Sequence, residues 1–104
     1  MANTFACLTY HIIWSTKNRS PFITPEIRDR LYAYIGGIIK QENGKLICIG
    51  GAQDHIHLLI SLHPSVAISS LMRAIKAKSS SFMKEISKQD AFGWQDGYGV
   101  FSVS

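Results

Sequence analysis

Gly50-Gly51-Ala52-Gln53-Asp54-His55-Ile56-His57-Leu58-Leu59-Ile60-Ser61-Leu62 is the stretch from which the rest of the chain is read. Gly50 to Asp54 has the composition of a turn, and His55 to Leu62 that of a β-strand. Successive side chains on a strand point to opposite faces. His55 and His57 therefore share one face, while Ile56, Leu58 and Ile60 share the other, where a helical layer would bury them. Just upstream, Leu46 to Ile49 reads as another strand, and the short spacing makes the two a hairpin.

On the N-terminal side, Phe5 to Ser15 is apolar and β-rich and reads as a long first strand. Lys17-Asn18-Arg19-Ser20-Pro21 is a polar, basic turn. A helix start follows, with Thr24 as N-cap, Pro25 at the first helical position and Glu26 in the first turn. Ile27, Leu31, Tyr34, Ile35, Ile38 and Ile39 keep helical spacing, and Asn43-Gly44 ends the helix. On the C-terminal side, Ala67 to Lys88 is a second amphipathic helix, Asp90 to Gly97 a loop holding Trp94, and Tyr98 to Val103 a fourth strand.

The order β-α-β-β-α-β predicts an α+β, ferredoxin-like domain spanning residues 1–104. In that topology the first and third strands are the central pair of an antiparallel sheet, and both helices cover one face. The other face stays open and carries His55 and His57.

The 104 residues suffice for one domain, and 46% hydrophobic against 17% charged residues is the balance of a chain that buries a core. A net charge of +4 points mildly toward an anionic partner, nucleic acid first among them. Cys7 and Cys48 both lie in apolar runs without CxxC spacing and read as reduced core thiols. No apolar run is long enough for a membrane span and no secretory leader is legible, so the expectation is a cytoplasmic protein without a membrane partner.

Two imidazoles side by side on one strand face can ligate a divalent metal through neutral ring nitrogens. The motif is short, and histidines that are merely exposed or hydrogen-bonded are the alternative. Asp54 reads as a turn residue or as an orienter of one imidazole. His11, on the neighbouring first strand, reads as a face or core histidine that can also approach the pair as a third ligand or phosphate contact; His63 reads as a loop residue. Arg73, Lys76 and Lys78 on the second helix, with Lys17 and Arg19 after the first strand, suit phosphate-backbone binding, against a simple solvated surface. Trp14, Trp94, Tyr98 and Phe101 can stack on bases, although core packing or loop anchoring fits each better. Spacing brings none of Tyr10, Tyr32, Tyr34 and Tyr98 to the histidine pair.

Four blocks together, Tyr10-His11-Ile12-Ile13-Trp14-Ser15-Thr16-Lys17-Asn18-Arg19, Asp54-His55-Ile56-His57-Leu58-Leu59-Ile60, Leu71-Met72-Arg73-Ala74-Ile75-Lys76-Ala77-Lys78-Ser79-Ser80 and Trp94-Gln95-Asp96-Gly97-Tyr98-Gly99-Val100-Phe101-Ser102-Val103-Ser104, carry a further reading. In that order they resemble the single-tyrosine HUH transposases of small bacterial insertion sequences and the related REP-associated tyrosine transposases. The resemblance implies metal-dependent nicking and rejoining of single-stranded DNA, in which a tyrosine forms a 5′-phosphotyrosine link and frees a 3′-hydroxyl. It also implies a divalent ion, Mg2+ or Mn2+, on His55 and His57, a single-stranded or hairpin DNA substrate, and a homodimer.

One departure stands out. The resemblance puts the nucleophilic tyrosine on a further helix beyond the last strand, with a metal-binding glutamine one turn later, whereas this sequence stops at Ser104. Tyr98 falls in the strand's Gly-Tyr-Gly and is not that nucleophile. The expectation is therefore a chain truncated at its C-terminal end, lacking the helix that would cover the open face and inactive alone. The other expectations are a transposase remnant that grips hairpin or single-stranded DNA without cutting, and, from another class, a metal-dependent phosphoester hydrolase.

Overall fold

The structure is a computed structural model and describes residues 8–103. The expected start of the first strand at Phe5, the expected core thiol Cys7 and the final Ser104 lie outside the described residues. Strand β1 (Leu8–Ser15) leads through a short 3-10 turn (Lys17–Arg19) to helix α1 (Pro25–Gln41). Strands β2 (Gly44–Ala52) and β3 (His55–Leu62) follow, then helix α2 (Ile68–Ser87) and strand β4 (Gly99–Val103). The sheet order is β2-β3-β1-β4, and every neighbouring pair is antiparallel. This is the ferredoxin-like order expected, with β1 and β3 at the centre.

The strand period assigns the two faces. Ile56, Leu58, Ile60 and Leu62 are buried along β3, and Ile12 and Trp14 along β1, against Leu31, Ile35 and Ile39 of α1 and Leu71, Met72 and Ile75 of α2. Burying one such aliphatic side chain contributes about 1.5–3 kcal/mol. The interleaved residues His11, Ile13, Ser15, His55, His57 and Leu59 face away from the helices.

Helix α1 starts where Pro25 was expected to start it. Thr24 is extended, at φ −73° and ψ 159°, and makes no side-chain cap, so the fixed φ of Pro25 at the first helical position sets the boundary. The helix ends before Asn43, which takes φ 63°. Tyr34, expected on the core stripe, is instead on the exposed rim, where it stacks on Phe82 of α2 with ring centroids 4.1 Å apart.

Strand β2 is longer than Leu46 to Ile49. Gly50-Gly51-Ala52 pair with His57, Ile56 and His55, so the sheet absorbs most of the predicted turn and only Gln53-Asp54 make the bend. The ladder shifts between Leu46 and Cys48, leaving Ile47 as the extra residue of a β-bulge. That shift decides the fate of Cys48. Leu46 opposes Ile60 on the helix side, but Cys48 opposes Leu59 and falls on the open face, exposed to solvent. The expectation of a buried Cys48 is corrected on this ground: an apolar neighbourhood in sequence does not survive a one-residue change of register.

The segment between α2 and β4 is tied to the sheet. Thr16 and Trp94 form an isolated bridge, the Gln95 N–H donates to Ser15 O at 2.9 Å, and the Trp94 indole N–H donates to Ser79 Oγ at 3.0 Å. Trp14 and Trp94 meet edge to face with centroids 5.7 Å apart. Both tryptophans thus pack or anchor, as their setting in the sequence suggested.

Candidate functional site

The centre of the open face is built by register. His55 lies opposite Ser15 on β1 and Ala52 on β2, and His57 lies opposite Ile13 and Gly50. The β2 neighbours are small, and a Cβ at Gly50 would meet nothing within 4 Å, so the space beside His57 is open. A shallow concavity of about 370 Å³ runs there, with His11, Cys48, Gly50, His57, Leu59 and Val103 in its lining.

His55 is oriented by Asp54. Its Nδ1 lies 2.8 Å from Asp54 Oδ1, and since a carboxylate can only accept, Nδ1 carries a proton and Nε2 is the nitrogen that a neutral ring offers to a ligand. The other carboxylate oxygen, Oδ2, accepts from Arg19 Nε at 3.0 Å. The hydrogen bond from His55, followed by that from Arg19, holds the Asp54 carboxyl below the usual carboxylate range. Asp54 is also a turn residue: its carbonyl accepts from the Thr16 N–H at 2.9 Å and from Thr16 Oγ1 at 3.2 Å, fastening the β2–β3 bend to the end of β1. Asn18 and Arg19 reach their places with φ 57° and 56°, left-handed values uncommon for such residues.

His57 has a different neighbour. Its Nδ1 is 2.9 Å from His11 Nε2, and the two rings lie nearly parallel, 22° apart, with centroids separated by 5.1 Å. Burial, with smaller effects from His55 and His11, lowers the His57 pKa below that of a free imidazole. A neutral ring at physiological pH is the form that ligates a metal. The rings of His55 and His57 are 5.0 Å apart and steeply inclined, at 74°.

This donor set fits a divalent ion as two ligands of an open site. Each ring spends Nδ1 on a neighbour within the protein and keeps Nε2 available, the arrangement in which an outer partner fixes the tautomer of a metal-binding histidine. Among the described residues no group of three or more histidine, cysteine or acidic side chains is arranged to hold a metal. Further coordination positions are thus left to a substrate, water or other residues.

The five basic residues expected at a DNA surface do not form one patch. Lys17 and Arg19 sit at the end of the sheet where Asp54 and His55 lie; Lys17 is exposed, and the Arg19 guanidinium is committed to Asp54. Arg73, Lys76 and Lys78 belong to α2, across the sheet from the histidines. Arg73 and Lys78 are exposed. Lys76 is turned onto the following loop, where Nζ donates to Gln95 O at 2.8 Å and Gly97 O at 2.6 Å and lies 5.9 Å from the centre of the Tyr98 ring. Burial lowers its pKa, opposed by Asp96.

The tyrosines stand apart from the pair. Tyr10 alternates with His11 and packs toward the helices. Tyr32 lies on α1, its hydroxyl buried without a partner and its pKa raised by that burial. Tyr34 is held against Phe82. Tyr98 precedes β4, beside Lys76.

Two contacts decide between alternatives that the sequence left open: Asp54 orients His55 as well as turning the chain, and His11 does approach the pair, at His57. The second was within reach of topology, because β1 and β3 are adjacent and diagonal residues on one face come close enough for long or aromatic side chains to touch.

Comparison with known proteins gives the family. Residues 4–104 match the family model described as "Transposase IS200 like". The ISDra2 transposase TnpA of Deinococcus radiodurans is 31% identical over 103 residues, covering 93% of this chain and 74% of the relative. The transposase for insertion sequence element IS200 of Salmonella typhimurium is 28% identical over 85 residues, covering 82% of this chain and 56% of that protein. A crystal structure of a Deinococcus radiodurans R1 protein assigned as a transposase superposes with a TM-score of 0.85 at 28% identity, covering 94% of this chain and 80% of the other. A REP-associated tyrosine transposase bound to a REP hairpin shares the fold, with a TM-score of 0.68 at 16% identity over 93% of this chain and 56% of the other.

Proposed function

The chain belongs to the IS200-like transposase family, and from that premise we propose that it supplies the metal-binding and DNA-binding part of a single-strand transposition reaction. The observation that carries this reading is the pair of histidines on the open sheet face, each with Nδ1 engaged inside the protein and Nε2 free. His55 and His57 would hold Mg2+ or Mn2+ through those two nitrogens. Bound there, the ion supplies charge stabilisation at a phosphate oxygen and at the leaving oxygen.

The protein's own residues prepare that site. Asp54 holds the His55 ring through its carboxylate, and Arg19 keeps Asp54 in position. Gly50 and Ala52 leave the face low enough for a nucleic-acid strand to approach. Arg73 and Lys78 on α2, with Lys17 at the end of the sheet, give positive charge for the backbone of single-stranded or hairpin DNA. The exposed edge strand β4, with Phe101 59% and Val103 44% exposed, suits the homodimer that goes with this reading. A cytoplasmic setting goes with a DNA substrate; among the described residues, no helix is long and apolar enough to cross a membrane.

None of the four tyrosines faces the histidine pair, so in this reading the attacking tyrosine is a fifth one and residues 1–104 alone bind without cutting. A small-phosphoester hydrolase would need carboxylate ligands beside the histidines. Asp54 is turned into His55 and Arg19 instead, and that favours the binding reading.

Titration of the chain with Mn2+, followed by calorimetry, tests the proposal. The chain should take up Mn2+, and His55→Ala and His57→Ala should each abolish uptake while leaving the circular dichroism spectrum intact. Unchanged uptake in both variants would remove the metal reading.

A further inference from the structure

We propose that His11 is the positioning residue of His57: its Nε2 accepts the proton on His57 Nδ1 and thereby keeps the His57 Nε2 lone pair bare and facing the open side of the sheet. The inference rests on the reading of His55 and His57 as metal ligands, and it assigns the second ligand the partner that Asp54 is for the first.

The geometry carries it in three steps. His11 Nε2 is 2.9 Å from His57 Nδ1, so a proton lies between the two nitrogens and one ring must donate. If His11 donated, His57 would carry its own proton on Nε2 and have no lone pair for an ion. If His57 donates, Nε2 is bare and His11 bears its proton on Nδ1. Only the second arrangement makes His57 a ligand that need not first lose a proton.

The register explains why the contact forms. His11 pairs directly with Leu59, and His57 lies two residues along β3, so the imidazoles meet on the diagonal of one face. On its other side His11 has Phe101, its direct partner on β4, with centroids 6.1 Å apart and tilted by 42°. His11 is therefore flanked by a ring on each side. Its Nε2 is already aimed at the His57 ring and cannot reach the same ion without breaking that contact. This makes it a positioning residue and not a third ligand.

The two histidines are thus held by unlike partners. Asp54 is anionic and can only accept, so it fixes the His55 tautomer by itself. His11 offers a ring nitrogen that can donate or accept, so the His57 tautomer depends on His11 being present.

Long-range nitrogen–proton NMR on the full 15N-labelled chain, at alkaline pH where imidazoles are neutral, reads the tautomers directly. The same samples are titrated with Mn2+. In the wild type His57 should be protonated on Nδ1. His11→Phe keeps a ring against Phe101 but removes the acceptor. It should convert His57 to a tautomer mixture and weaken Mn2+ binding about 10-fold or more, within the range for outer partners of ligating histidines. His11→Gln, whose side-chain oxygen can accept, should restore the Nδ1–H form and recover most of the affinity. Wild-type His57 protonated on Nε2, or a His11→Phe variant with unchanged tautomer and Mn2+ affinity, overturns the proposal. A wild type that takes no Mn2+ sinks the metal reading instead, and the tautomer comparison then still decides whether His11 governs His57.

Discussion

Asp54 and His55, neighbours in sequence, are joined side chain to side chain, with Oδ1 2.8 Å from Nδ1. Adjacent strand residues point to opposite faces, so such a contact needs the chain to turn between them. Asp54 is the last residue of the bend and His55 the first of β3, so the chain turns between them. The bend is fixed to β1 by the Thr16 N–H, which donates to the Asp54 carbonyl at 2.9 Å, so the carboxylate is held by backbone as well as by Arg19.

Asp54→Ala removes the carboxylate and leaves the backbone bond from Thr16 in place. Mn2+ affinity should fall by about 10–100-fold, the usual consequence of deleting the outer partner of a ligating histidine. The circular dichroism spectrum should not change. Arg19→Ala should have a smaller effect in the same direction, because Arg19 reaches His55 only through Asp54. Calorimetric titration of both variants checks the order.

Gly50 and Gly51 are adjacent but should respond in opposite ways to alanine. Gly50 has open space where a Cβ would go. Gly51 has φ 144°, and a Cβ there would lie 2.2 Å from the His55 carbonyl oxygen. Gly50→Ala should leave stability near the wild type. Gly51→Ala should cost more than about 1 kcal/mol, since alanine cannot adopt the conformation without strain. Urea unfolding of the two variants measures the contrast.

Ser79 is fully buried and serves two groups, donating to the Ile75 carbonyl and accepting from the Trp94 indole N–H. Ser79→Ala leaves that N–H without its acceptor and should cost about 1–3 kcal/mol. The loop before β4 hangs on this bond, so tryptophan emission should shift along with the urea midpoint. An unshifted spectrum with full stability would show that the loop is held by its other bonds, those of Gln95 with Ser15, Gly93 with Lys17 and Lys76 with Gln95 and Gly97.

Arg73 and Lys78 are exposed, whereas Lys76 is bonded to loop carbonyls. In binding to a hairpin with a single-stranded flank, Arg73→Gln or Lys78→Gln should each flatten the plot of log affinity against log salt by about 0.7–0.9. Lys76→Gln should in addition disturb tryptophan emission, because it releases Gln95 and Gly97 from their donor. Fluorescence anisotropy over a salt series separates the two behaviours.

Most of the fold could be read from the chain because its strands and helices keep their periods: Ile56, Leu58 and Ile60 alternate, and Leu31, Ile35, Ile38 and Ile39 recur at helical spacing. Where reading failed, a single residue had changed register or a backbone angle carried the information. The bulge at Ile47 put Cys48 on the open face although its neighbours in sequence are apolar. Gly50-Gly51 has turn composition, yet both residues pair in the ladder; the constraint lies at Gly51 alone, whose φ of 144° and close approach to the His55 carbonyl leave no room for a side chain. The histidine pair was legible from spacing, and Asp54 and His11 stood beside it as candidates; which of their alternative readings holds was not legible, since the His11 contact spans strands and that of Asp54 depends on how sharply the bend closes. Lys76 looked like its exposed neighbours because no sequence pattern announces that a lysine will find two loop carbonyls.

The placement of the tyrosines gives the last prediction. Attack on a phosphate requires the hydroxyl beside the bound ion and within reach of an in-line approach. Tyr10 faces the helices, the Tyr32 hydroxyl is buried with its pKa raised, Tyr34 is stacked on Phe82, and Tyr98 lies beside Lys76. A labelled hairpin DNA with single-stranded flanks, incubated with residues 1–104 and Mn2+, should therefore give no adduct that survives boiling in detergent, even where the DNA is fully bound. An adduct lost in Tyr98→Phe would show that the loop before β4 swings across the sheet end to the histidines. It would also require the Lys76 contacts with Gln95 and Gly97 to break, so Lys76→Gln should then raise the yield. Absence of any adduct, with binding intact, agrees with the placement of all four tyrosines away from the histidine face.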